Sequence, residues 1–133
     1  MSQLYFQPIQ GRELDIIDTI LHTEEVAALE DCKGTIRLVA EELVVNIVDY
    51  AGSDYLDVET VLDEESITLR FRDGGVPFNP LDIEPLDTSL SIDERKVGGM
   101  GVFFVVNSMD KVEYEYKDGE NILTVSKKIK VKR

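Results

Sequence analysis

The chain reads as an α+β domain: a two-layer α/β sandwich in which a mixed, mostly antiparallel sheet is covered on one face by helices. Three observations predict this. The first third of the chain carries apolar residues at helical spacing. The pattern then switches to period two in adjacent segments joined by short turns. An Asp118-Gly119 pair near the end, flanked by alternating apolar residues, marks a hairpin.

Taken in order, "QLYFQPIQ" is a short strand ending near Gly11. "RELDIIDTILHTEEVAALEDC" is helical, with Leu14, Ile17, Ile20 and Leu21 on one stripe and a break near His22–Glu24. "GTIRLVAEELVVNIVDYAG" is a second helix, starting after Gly34 with Thr35 as its cap and stopping at Gly52. In "DYLDVETVL", Leu56, Val58, Thr60 and Leu62 share a face; in "SITLRFRD", Ile67, Leu69 and Phe71 point inward. The turn-rich "DGGVPFNP" follows, then a polar stretch at about 81–97 long enough for a lid. A helix is expected from about Gly99 to Asp110. The closing hairpin sets Val112 and Tyr114 opposite Val125 and Leu123. The whole, residues 1–133, is expected to be one domain.

Composition narrows the function. With 14 basic against 27 acidic residues the net charge is −13, which argues against nucleic acid or an anionic membrane as partner. A single cysteine, Cys32, excludes an internal disulfide, and no zinc spacing accompanies the lone His22. There is no signal-peptide pattern and no apolar run of membrane-spanning length, so the cytoplasm is the expected location. A protein this acidic binds a phosphorylated ligand only if a cation, backbone N–H groups or placed basic residues offset the repulsion.

Three local patterns carry candidate chemistry. On the second helix, Ala40, Leu43, Val44, Ile47, Val48 and Ala51 form a broad apolar face, and Leu38 and Val45 lie toward the other side. The helix is therefore expected to be covered nearly all round. Glu42, Asn46 and Asp49 run through it as a narrow polar stripe. Such a stripe meets either solvent and a basic neighbour, or a ligand for which Glu42 is a base and the Asn46 oxygen a Mg²⁺ ligand. Asp73 inherits the inward parity of its strand and precedes Gly74-Gly75. It either opens an Asx turn or waits at the floor of a pocket for an amine donor. Lastly, "KVGGMGVFFVVNSMD" is either a glycine-rich entry to a buried helix or a helix N-terminus that holds phosphate, with Arg95 and Lys96 close by.

Together, and in this order, "EELVVNIVDYA", "FRDGGVPFNP" and "VGGMGVFFVVNSMD" resemble the N, G1 and G2 boxes of the GHKL (Bergerat-fold) ATP-binding superfamily. The short chain and the phrase "GGMGVFFVVNSMDKVEYEYKDGENILTVSK" look most like the anti-sigma factor serine/threonine kinases. The resemblance implies ATP and Mg²⁺ as cofactors. It makes Glu42 the general base, Asn46 the Mg²⁺ ligand, Asp73 the acceptor of the adenine amine and Gly75 the glycine beside the ring. It makes Gly99 and Gly101 the phosphate-contacting backbone, residues 81–97 the ATP lid and Arg95 a γ-phosphate contact. It departs at Pro77, which replaces the last glycine of the usual G1 box, and at Val97, which holds the place before the glycines. An adenine-site threonine of the last strand has no clear counterpart in "ENILTVS".

The activity implied is phosphorylation of a STAS-type anti-anti-sigma protein, with partner switching onto a sigma factor and a homodimeric assembly. The alternative is a nucleotide-binding regulatory module that sequesters a protein partner without kinase activity. A sensor histidine kinase is disfavoured, because the chain has no room for the separate helix that would carry the phosphoacceptor.

Overall fold

The structure is a computed structural model and describes residues 1–77, 79 and 99–129, the side chains of 99–102 excepted. The lid expected at about 81–97, with Arg95, lies outside the described residues.

Strand β1 (Ser2–Phe6) precedes helices α1 (Glu13–Leu21), α2 (Glu24–Ala27) and α3 (Lys33–Asn46). A π-helical turn (Ile47–Ala51) extends α3. Strands β2 (Leu56–Leu62) and β3 (Ser66–Asp73), helix α4 (Gly99–Ser108) and strands β4 (Lys111–Lys117) and β5 (Glu120–Lys128) follow. Among the described residues the sheet has five strands in the order β1-β2-β3-β5-β4, and every pairing is antiparallel.

The period-two pattern sets the register. Leu4 faces Val58, Val58 faces Phe71 and Leu69 faces Val125, so one side of the sheet is a continuous apolar surface. Ile17 and Ile20 of α1, Ile36, Val39, Leu43 and Val44 of α3, and Val105 of α4 close over it. Removing these side chains from water is the main driving force for the two-layer arrangement. The opposite face is polar: Arg72 pairs with Asp57 at 2.8 Å and Arg70 with Glu59 at 3.7 Å.

The hairpin turn adopts the positive φ values that a two-residue I′ connection demands, 53° at Asp118 and 80° at Gly119. It places Val112 opposite Val125 and Tyr114 opposite Leu123, as expected. Lys127 Nζ donates to the Ser108 carbonyl at 2.9 Å, bringing a cation to the C-terminal end of α4.

Four expectations are corrected. β1 ends at Phe6 rather than near Gly11, where Pro8 offers no N–H to a ladder. Leu14 is exposed, and the buried stripe of α1 is Ile16, Ile17 and Ile20. Helix α3 starts at Lys33, with Cys32 at the cap position and no side-chain cap, so Thr35 lies inside the first turn. That helix is not covered all round: Leu38 is 48% and Val45 38% exposed, because the sheet and the neighbouring helices meet only its other side.

Candidate functional site

The candidate site is built on the C-terminal half of α3 and the chain leaving β3, which dock on each other at Ala51 and Val76, with α4 packed on α3. α3 packs on α1 as well. Glu42 and Asn46 are one helical turn apart, so their side chains leave neighbouring points on one face, and both are half-buried. Among the described residues, Glu42 makes no hydrogen bond or ion pair. Its neighbour Glu41 is the one paired, with Arg37 at 3.1 Å. Asp49 is exposed and lies in the π turn. The wider π winding takes it out of line with Glu42 and Asn46, which shortens the expected stripe to two residues.

The π turn ends at Gly52, which adopts φ 66°. It then receives the chain leaving β3: the Val76 N–H donates to the Ala51 carbonyl at 3.0 Å. Gly75 makes this approach possible. A Cβ built there would sit 2.0 Å from the Ala51 oxygen, far inside any real contact. Gly75 is thus required by the docking of its own backbone on the helix end. Gly74 is confined as well, since a Cβ there would meet the Tyr55 ring at 2.8 Å. That ring stacks on Tyr5, and its hydroxyl donates to Glu120. Burial first, and then the hydrogen bond to Glu120, pushes the Tyr55 phenol up to about 12, so it is a neutral donor.

Asp73 sits at the inward end of β3 and is 5% exposed. Its Oδ1 accepts from the Gly75 N–H at 2.9 Å and from Asn121 Nδ2 at 3.1 Å. The first bond is an Asx turn. Among the described residues both hydrogen bonds use the same oxygen, so Oδ2 keeps its acceptor capacity toward them. The two readings of Asp73 in the sequence are therefore compatible, one for each oxygen. Burial raises the Asp73 carboxyl above its ordinary value, the Gly75 and Asn121 donors oppose that rise, and the charge of Glu120 adds to it.

Asn121 was not singled out in the sequence. It is buried, lies directly across from Asp73 and also donates to the Val76 carbonyl at 2.8 Å. The tyrosine of the same hairpin, Tyr114, donates to its Oδ1. A signal was available: in the hairpin register Asn121 has the same parity as Leu123 and Val125, an inward polar position of the kind that marked Asp73. Thr124 points to the other face, where it accepts from Arg70 Nε at 3.2 Å. Gly99 and Gly101 occupy the first turn of α4, and Arg95 lies outside the described residues.

The arrangement combines a buried acceptor with one oxygen available, a glycine-dependent backbone contact beside it, and a carboxylate and an amide on the adjoining helix. The opening turn of α4 presents the N–H groups of a helix start, where anions are favoured. No group of three or more His, Cys, Asp or Glu side chains able to hold a metal occurs among the described residues. No helix among them is long and apolar enough to cross a membrane.

Known proteins share this architecture. Residues 16–127 match the model of the histidine kinase-like ATPase domain. The chain is 27% identical over 104 residues to the serine-protein kinase RsbW of Listeria monocytogenes serovar 1/2a, covering 72% of this chain and 64% of that protein. It is 25% identical over 104 residues to RsbW of Listeria innocua, with the same coverage of both chains. It thus spans a little under two thirds of the length of these relatives. The solved histidine kinase AdeS of Acinetobacter baumannii superposes with a TM-score of 0.55 over 97% of this chain and 68% of its own, at 12% identity, a likeness of fold. With the match extending from α1 to β5, the chain belongs to the histidine kinase-like ATPase domain family, within the GHKL superfamily.

Proposed function

We propose that the chain is an ATP-dependent serine/threonine protein kinase of the anti-sigma type. It phosphorylates a STAS-type anti-anti-sigma protein in the cytoplasm and controls a sigma factor by partner switching, as a homodimer. The family supports ATP binding, and the names of the relatives support the kinase. The observation that carries the reading is the Ala51–Val76 contact, which docks the chain leaving buried Asp73 on the end of the helix that carries half-buried Glu42 and Asn46.

In this reading Asp73 Oδ2 accepts the adenine amine, and Gly75 keeps the ring edge free of side chains. Gly99 and Gly101 give backbone N–H groups to the phosphates, with Arg95 from the lid at 81–97 on the γ-phosphate. Asn46 is an oxygen ligand of Mg²⁺. A single protein ligand suits that ion, which keeps several waters and is completed by substrate phosphates. Bound Mg²⁺ neutralises phosphate charge, which a chain of net charge −13 requires. Glu42 takes the proton of the acceptor serine hydroxyl as its oxygen bonds the γ-phosphorus, leaving phosphoserine and ADP. The exposed Leu38 and Val45 flank Glu42 on the same helix and suit a protein substrate.

The test is phosphotransfer with a STAS-type protein and Mg-ATP. Glu42→Ala is expected to bind nucleotide within about twofold of wild type while transfer falls by roughly 10²–10⁴. Transfer at the wild-type rate contradicts the role of Glu42. Wild-type binding with no transfer to any STAS-type protein replaces the kinase by a nucleotide-regulated binding module.

A further inference from the structure

Two residues of the terminal hairpin form a relay into the candidate base site. Tyr114 of β4 donates its hydroxyl proton to Asn121 Oδ1, and Asn121 Nδ2 donates to Asp73 Oδ1 at 3.1 Å and to the Val76 carbonyl at 2.8 Å. The chemistry settles which way the amide points. A carboxylate and a carbonyl are both acceptors, so the nitrogen must face them, and the oxygen then faces the Tyr114 O–H. Val76 is itself bound to the helix end at Ala51. The amide therefore locks the chain leaving β3 at two points and aims the Asp73 carboxylate.

We propose that Asn121, oriented by Tyr114, is a positioning residue that holds Asp73 as an anion and thereby selects a purine with a 6-amino group over one with a 6-oxo group. The proposal rests on Asp73 being the base-recognition residue. An ionised Oδ2 can only accept, so it pairs with an amine and leaves a carbonyl oxygen unpaired against it, a mismatch that buried polar sites reject strongly. A protonated Asp73 can donate to that carbonyl, so the discrimination depends on which form is held.

The surroundings push toward the neutral form. Asp73 is 5% exposed, and Glu120 at the start of β5 adds negative charge. Tyr55, leading into β2, is neutral with its phenol at about 12, and the titratable side chains of the π turn, Asp49 and Tyr50, are exposed. The two groups that favour the anion are the Gly75 N–H and Asn121. The first belongs to the backbone, so Asn121 is the side chain through which selectivity can be altered.

The experiment follows Mg-ATP and Mg-GTP binding from pH 5 to 8 by calorimetry in wild type, Asn121→Leu, Asn121→Thr and Tyr114→Phe. Alongside, the Asp73 carboxyl is titrated by carbon NMR in the ligand-free proteins. Wild type is expected to lose ATP affinity as pH falls through the raised Asp73 value. Asn121→Leu is expected to move that limb and the NMR midpoint to higher pH, and to cut the ATP-over-GTP ratio at pH 7 by about tenfold. Asn121→Thr, which restores one donor, should recover most of both shifts, and Tyr114→Phe should show a smaller shift in the same direction. An Asp73 midpoint and an ATP-over-GTP ratio unchanged in Asn121→Leu, or in Tyr114→Phe and Asn121→Thr should the leucine variant not fold, overturn the proposal. Wild-type protein that binds neither nucleotide, with a midpoint that still shifts in the variants, overturns the base-site reading instead, and the selectivity claim with it.

Discussion

At the scale of single residues, the two assigned to the proposed base site are constrained for different reasons. Gly75 has no room for a side chain, because a Cβ would sit 2.0 Å from the Ala51 carbonyl oxygen. Gly75→Ala is expected to lower stability by about 1–3 kcal/mol through forced backbone displacement, read as a drop in the urea midpoint. Asp73 is held at a cost to stability. A carboxyl raised in the fold by burial favours the folded state only when protonated. Its ionised form therefore destabilises the protein as pH rises from the ordinary carboxylate range through the raised folded value. Asp73→Asn keeps an oxygen for Gly75 and Asn121 and removes the charge. It is expected to stabilise the ligand-free protein at pH 7 by roughly 0.5–2 kcal/mol, measured by thermal or urea unfolding. Asp73 was legible in the sequence because an inward-facing carboxylate at a strand end breaks the apolar alternation. The structural need for Gly75 was not, since it depends on which carbonyl comes near, a matter of tertiary contact.

At the scale of elements, period two carried further than period 3.6. The β4–β5 register follows from the Asp118-Gly119 turn alone, and observed pairs such as Tyr114 with Leu123 agree with it. The helices were less legible, because periodicity shows where apolar residues lie but not how much of a helix is covered. Hence Leu38 and Val45 are exposed on α3, and the π winding at its end leaves Asp49 in solvent. The short α2 shows another limit. Its Glu25 is buried and accepts from Ser2 Oγ at 3.2 Å and Thr60 Oγ1 at 3.0 Å, tying the helix layer to β1 and β2. A four-residue helix has too little pattern to announce such a tether. The Ser2 hydroxyl, ahead of the other causes, holds the Glu25 carboxyl below its ordinary value. Its stabilising contribution is thus complete above the unfolded carboxylate range and disappears as pH falls through the depressed folded value. Thr60→Val is expected to cost about 1–3 kcal/mol, since it removes a donor from a buried carboxylate. In urea unfolding between pH 3 and 7, that loss should shrink toward the acid end.

At the scale of the molecule, the fold and the family agree. A five-stranded antiparallel sheet under a helical layer carries the candidate site, where the β3 exit docks on the end of the α3 helix. Strong net negative charge is expected to make nucleotide binding depend on a cation, and Mg-ATP at about 100 times its Kd should stabilise the protein by about 2.7 kcal/mol. Chelation of the metal should abolish most of that gain in a thermal shift experiment. Whether Asp73 recognises the adenine of a bound nucleotide is decided by calorimetric titration of wild type and Asp73→Asn with Mg-ATP. Saturable binding to wild type is expected, with a loss of about 100-fold or more in the folded variant, because a buried acceptor becomes a donor facing the amine. Equal affinity in the two proteins would contradict that recognition.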